Sequence, residues 1–470
     1  MTGAKSFRPI VKSPWITRLC AEKAHLPRGV RLGSPLCRLA SVLIAGLGVL
    51  TLLGCSESIQ PITRAESAPP EPVTVVKGLA AGAVARAETG ELARGEVGVS
   101  TTEGPNRLSP EEIAEGWILL FDGATLFGWQ PSQAADWRVE DGAIVATTGT
   151  PDLLCTTSQF GDYILRVEFR SEPKTNSGIF LRTLRQVTDA SKECYELNIA
   201  SPELSGFPTG SFVGRKKAIP VEESTDWRQF EVTAEGERFS VRLNGVEVLQ
   251  YEDPQPLGRG FIGLQFNQGR IAFRNIKLKP LGLKPLFNGQ DLSGWKTYPQ
   301  LAARATVTPE GWLRLQGGRG MIETEQLFGD FTLQIEIFVN GKELNSGVFF
   351  RCIPGEQMNG YESQIHNAYL SGDRARPRDC GTGGIFRRQD ARRVVANDFE
   401  WFSKTIHAAG PHMAVWVNGY QVSDWTDTRP ADANPRRGCR VEPGSIMLQG
   451  HDPTTDLFFR NIRAATLPPR

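Results

Sequence analysis

Charge imbalance is the first thing this sequence lacks. Among 470 residues, Lys+Arg number 53 and Asp+Glu 52, for a net charge of +1. So balanced a chain exerts no long-range pull on nucleic acid or anionic lipid, and the globular part carries no Lys/Arg stripe interleaved with aromatics. No nucleic-acid partner is expected. A disulfide framework is missing too. The eight cysteines include no CxxC. Cys20 and Cys37 fall in a leader and Cys55 has another use, which leaves Cys155, Cys194, Cys352, Cys380 and Cys439, an odd number. Buried free thiols are the expectation, with a Cys352–Cys380 bridge as the open alternative. Histidine is scarce, at five residues, and never spaced HxH or HxxxH. No cofactor is expected, although His366, His451 and Glu362 could together hold a divalent metal.

What is present at the amino terminus points to export. Arg18, Lys23, Arg28, Arg31 and Arg38 precede the apolar run "LASVLIAGLGVLTLLG" at 39–54. The run is too short and too Gly-rich for a comfortable membrane span but suits a signal peptide. It ends in "LLGC", which resembles the lipobox of bacterial lipoproteins, in which the cysteine, here Cys55, is acylated. Residues 1–55 therefore read as a signal peptide with lipobox, and the mature chain as lipid-anchored, facing periplasm or cell surface. Residues 56–110 are rich in Ala, Gly, Glu and Pro and contain no aromatic residue. Such a segment cannot bury enough apolar surface to offset its ordering entropy and reads as a disordered tether.

From Trp117 onward the chain says almost everything twice. "LFDGATLFGW" at 120–129 returns as "LFNGQDLSGW" at 286–295, and "FGDYILRVEFR" at 160–170 as "FGDFTLQIEIF" at 328–338. "KTNSGIFLR" at 174–182 returns as "ELNSGVFFR" at 343–351, and "YELNI" at 195–199 as "YESQI" at 361–365. The order is kept, which marks a duplicated domain, 111–281 and 282–470. Each copy alternates apolar and polar residues with period two, as half-buried antiparallel strands do. Asn244-Gly245 and Asn418-Gly419 each sit between such runs, the strongest short-range hairpin signal. No stretch of the body sustains a helical period. Many short strands predict an all-β fold of two tandem sandwiches or jelly rolls.

These motifs in this order resemble the 3-keto-disaccharide hydrolase domain, also described as a 3-keto-glucoside lyase and hydratase domain; double-domain lipoproteins of this type look like planctomycete proteins. The resemblance covers both repeats and none of residues 1–110. It implies a concanavalin A-like (lectin/glucanase) jelly roll acting on oxidised sugars, and a sugar 3-oxidoreductase as pathway partner. Such chemistry needs a base near C2, donors for an enolate oxygen and an acid for the leaving group.

Strand parity then nominates residues. In "YESQIHN", Glu362, Gln364 and His366 project together, and in "NSGVFFR" so do Asn345, Phe349 and Arg351. Gln449 and His451 of "LQGHD" complete the set. Glu362 is expected as the base, with Arg351 and His451 holding the enolate, and Asn345, Gln364, His366 and Gln449 binding substrate. An ion pair between Glu362 and Arg351 is the structural alternative. Glu336 with Gln334 is a secondary candidate for the same groove. The first repeat keeps Asn176, Arg182 and Glu196 but has Asn198 for the glutamine, Ala200 for His366 and Asn267 for His451. The second repeat is therefore the expected catalyst, and the first is expected to bind or brace. A purely lectin-like surface protein is the rival reading.

Overall fold

A computed structural model describes residues 104–470. The leader, Cys55 and most of the tether lie outside the described residues. Asn106 is tied into the first repeat: it donates its side-chain amide to Gly142 O at 2.8 Å and accepts from Asn275 N at 2.8 Å. A short helix, Pro110–Glu115, follows, closed by a capping box between Ser109 and Glu112. No described helix is long and apolar enough to cross a membrane.

Each repeat is a sandwich of an eight-stranded and a five-stranded antiparallel sheet, and the strands run in matching spatial order in both. In the second repeat the larger sheet is centred on Phe331–Val339, Trp401–Ala409 and Asp456–Thr466. The smaller runs Trp295–Thr297, Gly320–Thr324, Ser445–Gly450, Ser346–Cys352, Tyr361–Ile365. The apolar half of each alternating strand meets its counterpart between the sheets, giving one core per repeat, around Phe169, Phe230 and Leu197 in the first and Ile337, Ile406 and Val348 in the second. Both predicted Asn-Gly turns form, with φ of 50° and 81° at Asn244 and Gly245 and 48° and 73° at Asn418 and Gly419.

The repeats are joined by more than a linker. Trp416 of the second packs into the core of the first and donates its indole N–H to Leu119 O at 2.8 Å. Leu119 N returns a bond to Gly419 O at 2.8 Å. Arg392 meets Asp122 at 2.7 Å, Arg259 meets Asp330 at 2.6 Å, and Arg470 reaches back to Thr183 O at 3.2 Å. The five described cysteines are free, Cys352 and Cys380 among them, so the open disulfide alternative is not realised.

Candidate functional site

The site is built on the outer face of the second repeat's five-stranded sheet. Register places Gly347 and Phe349 beside Gln364 and Glu362, Phe349 beside Met447, and Met321 beside Gln449. Alternation turns Ile322, Leu448, Val348 and Ile365 into the core and leaves Glu362, Gln364 and Gln449 on the outer face. Gly347 has a steric reason: a Cβ there would stand 2.8 Å from Glu362 Oε1, so only glycine lets the carboxylate lie across that strand. Loops cover this face, and Glu362, Gln364, Gln449 and His366 are all buried.

Glu362 Oε2 accepts from Arg436 Nη2 at 2.9 Å. Burial raises the Glu362 pKa, opposed by the hydrogen bond and charge of Arg436 and by His451, while Asp379 adds to the rise. Arg436 is held in turn by Met358 O at 2.8 Å and lies 5.1 Å over the Phe349 ring. Asp379 gathers two further candidates: Asn345 Nδ2 donates to its carboxylate at 2.7 Å and Gln364 Nε2 at 3.1 Å. His451 Nδ1 lies 2.9 Å from Asp452 Oδ2, and the imidazole is 40% exposed.

Three buried polar atoms on this face have no protein partner: Gln364 Oε1, Gln449 Oε1 and His366 Nδ1. Leaving such atoms unpaired costs about 1–3 kcal/mol each. A ligand dense in hydroxyl groups, donor and acceptor at once, would satisfy them. Beyond Met447 in the same row, buried Glu323 is fully engaged by Tyr298 Oη, Gly355 N at 3.0 Å and Ser445 Oγ at 2.6 Å.

Arg351 is a correction. Strand parity puts it beside Asn345 and Phe349, but a bulge intervenes: Phe349 pairs with Met447 and Cys352 with Ser445, so Phe350 and Arg351 oppose Ile446 alone. With φ +49° Arg351 turns away from the outer face, and the opposing backbone closes in until a Cβ on Gly444 would stand 2.4 Å from the Arg351 carbonyl carbon. Its fully buried guanidinium bonds Gly329 O at 2.8 Å, Gly410 O at 2.7 Å, Arg440 O at 3.2 Å and Asp330 Oδ1 at 2.8 Å. Arg182 repeats the arrangement at φ +47°, on Gly161 O, Gly236 O, Leu257 O and Asp162. Both arginines clamp loops; neither pairs with the glutamate of its own repeat. Glu336 and Gln334 are also misplaced by the sequence reading. They lie on the larger sheet, Glu336 bound to Arg460 at 2.7 Å and Gln334 to Gly116 O at 2.7 Å.

In the first repeat the matching face is poorer. Glu196 accepts only from Gln265 Nε2, at 3.3 Å, and burial without a cation pushes its pKa up to about 7. Asn198 spends its amide on Phe207 O. Asn176 sits at the start of its strand, opposite Ala200. Cys155 stands where the second repeat has Glu323, and Leu153, Phe180 and Cys194 pack with Val187 and Ala190 on that side.

Sequence reasoning missed Arg436 and Asp379, since both come from long loops whose course no strand pattern dictates. Among the described residues no three His, Cys, Asp or Glu side chains converge as metal ligands. Glu362 is engaged by Arg436 and His451 by Asp452.

Residues 116–279 and 282–465 each match the model of one family, described as a 3-keto-alpha-glucoside-1,2-lyase-like domain. Solved structures similar to one repeat include two from Parabacteroides distasonis described as candidate glycosyl hydrolases. One is 19% identical over 38% of this chain and 100% of that one, TM-score 0.34; the other is 24% identical over 39% and 99%, TM-score 0.32. A carbohydrate-binding module from Bacillus subtilis is 14% identical over 32% and 94%, TM-score 0.27. No curated protein matches the chain.

Proposed function

Because the chain belongs to the 3-keto-alpha-glucoside-1,2-lyase-like family, we propose that its second repeat cleaves glycosides already oxidised to a ketone at C3. The observation that carries this reading is the buried Glu362 carboxylate set among unpartnered Gln364 Oε1, Gln449 Oε1 and His366 Nδ1. The ketone acidifies the C2 hydrogen. Glu362 takes that proton, the electron pair passes into an enolate, and the enolate expels the C1 substituent, whose oxygen is protonated by His451. Water then adds across the C1–C2 double bond, for net hydrolysis. Arg436, within 2.9 Å of Glu362, is assigned to the enolate oxygen in place of Arg351. A preorganised donor of this kind is worth about 10²–10³ in rate.

The first repeat, with Glu196, Asn198 and Asn176 but neither imidazole, grips sugar or braces the second. The protein works outside the cytoplasm, anchored through Cys55, downstream of an oxidoreductase that makes the ketone. Changing Cys55 to Ala should move it from membrane to soluble fraction; persistent attachment would make the apolar run itself the anchor.

The test of the activity is incubation of the whole protein with paired glucosides and 3-keto-glucosides, followed by product analysis. Release of the leaving group from the oxidised member alone is expected. Release from the unoxidised glucoside would establish an ordinary glycosidase instead. Binding of either without turnover would favour a lectin-like module.

A further inference from the structure

Behind the strand that carries Glu362, the second repeat breaks the rule that a sandwich core is apolar. Lys404 is fully buried, and its Nζ donates to the backbone carbonyls of Gln364 at 2.7 Å and Ser363 at 3.2 Å. The position is an ordinary core site. Lys404 pairs with Ile335, as Phe230 pairs with Val167 in the first repeat, where Phe230 stacks on Phe169 at 4.7 Å. Two neighbours change with it. Ser363 pairs with Val348 where Leu197 pairs with Ile179, and Ser423 with Val415 where Leu249 pairs with Val241.

Three apolar side chains of the first core have thus become Ser, Lys and Ser in the second; Lys404 and Ser423 both act on the backbone around Gln364, while Ser363 Oγ has no protein partner. Ser423 Oγ donates to Gly383 O at 2.8 Å, and Gly383 N donates to Gln364 O, which Lys404 also holds. Stability does not account for the exchange. A buried ammonium loses its hydration, and two carbonyl groups are partial compensation, so an apolar residue there is commonly as stable or more so. Burial pushes the Lys404 pKa down to about 7, while the charge of Glu362 on the other face of the strand favours the ammonium.

We propose that Lys404 is a positioning residue for Glu362: a cation beneath the site strand that fixes its backbone and favours the carboxylate form needed for a base. This rests on the reading of Glu362 given above. The other charged or titratable groups facing the glutamate are Arg436 from the loop preceding Ser445–Gly450, His451 just after that strand, Asp379 from the loop after Tyr361–Ile365, and the buried Cys352 thiol at the end of Ser346–Cys352. Cys380 of that last loop stands close enough to affect both Lys404 and Glu362. Lys404 alone acts from within the core.

The test uses the whole protein and the variants Lys404→Met, Glu362→Gln and their combination, with Ser363→Leu/Lys404→Phe as a second form that restores the first repeat's apolar pair. Without the cation, the acid limb of the kcat/KM profile should move up by about one pH unit, roughly a tenfold loss on that limb, while Tm stays level or rises. Tm shifts of the single variants should also fail to add in the double variant, since the two charges interact. That readout needs no turnover, so an inactive wild type with non-additive Tm shifts would discard the proposed reaction and keep the coupling. Additive shifts, or an unmoved acid limb in an active protein, would overturn the role of Lys404. A lowered Tm with unchanged pH dependence would make it a structural residue only.

Discussion

The two repeats share a fold, a clamp and a glutamate, and differ in what surrounds the glutamate. Glu362 has Arg436 on its carboxylate, unpartnered Gln364, Gln449 and His366 atoms beside it, and Lys404 behind its strand. Glu196 has Gln265, whose Oε1 is the one unpartnered acceptor matching Gln449 Oε1, and an apolar flank. The features held in common, Arg182 and Arg351 on their bulges with Asp162 and Asp330, tie loops together and serve both copies alike. The shared arginine clamps therefore mark the scaffold, and what separates the two glutamates is the set of residues around them: Arg436, Gln364, His366 and Lys404 in the second repeat only.

The sharpest way to break this contrast is to remove each glutamate in turn. Glu362→Gln is expected to fold normally and lose about 10²- to 10⁴-fold in turnover, as when a positioned base is lost, whereas Glu196→Gln should stay within a few-fold of wild type. Equal losses would show two working sites.

The clamps should not tell the repeats apart. Arg351→Met unpairs three carbonyls and Arg182→Met its own three, while Asp330 keeps Arg259 at 2.6 Å and Asp162 is 35% exposed; each buried acceptor left unpaired costs about 1–3 kcal/mol. Denaturant unfolding should show similar losses from both. A large loss of turnover with full stability in Arg351→Met would restore the catalytic role that the structure denies it.

Because Trp416 is seated in the core of the first repeat, the body should melt in one calorimetric transition, and residues 281–470 expressed alone should melt below it. Two separated transitions would mean that the copies are independent after all.

The smallest effect concerns pH. Glu196 titrates near 7 in the folded protein against ~4.5 when unfolded. Between those values the folded state holds the extra proton, so stability falls as pH rises through that window and the loss is complete above 7. Glu196→Gln escapes it. Its unfolding free energy should match wild type at pH 4 and exceed it at pH 8 by on the order of 1–3 kcal/mol. An unchanged difference between the two pH values would place Glu196 in a better solvated or better paired setting.

Much of this was legible because it is periodic. The internal repeat announced the duplication, alternation announced the sheets, and Asn-Gly announced the hairpins. Parity correctly grouped Glu362 with Gln364 on the outer face, since both precede any irregularity in their strand. It failed at Arg351 because one extra residue at Phe350–Arg351 reverses every later side chain, and nothing in "NSGVFFR" announces a bulge.

Which residues can face outward together is written in their order along the chain, because β alternation is a property of consecutive residues and needs no partner. Which charges meet is set by the packing of distant segments. Arg436 lies 74 positions from Glu362 and Asp379 lies 34 from Asn345, each brought in by a loop whose path depends on what it packs against. Lys404 sits in a strand whose pattern reads as ordinary until the opposing sheet puts the Gln364 carbonyl 2.7 Å from its ammonium. Pairing across a sandwich is fixed by how two sheets stack, and that information lies in the fold.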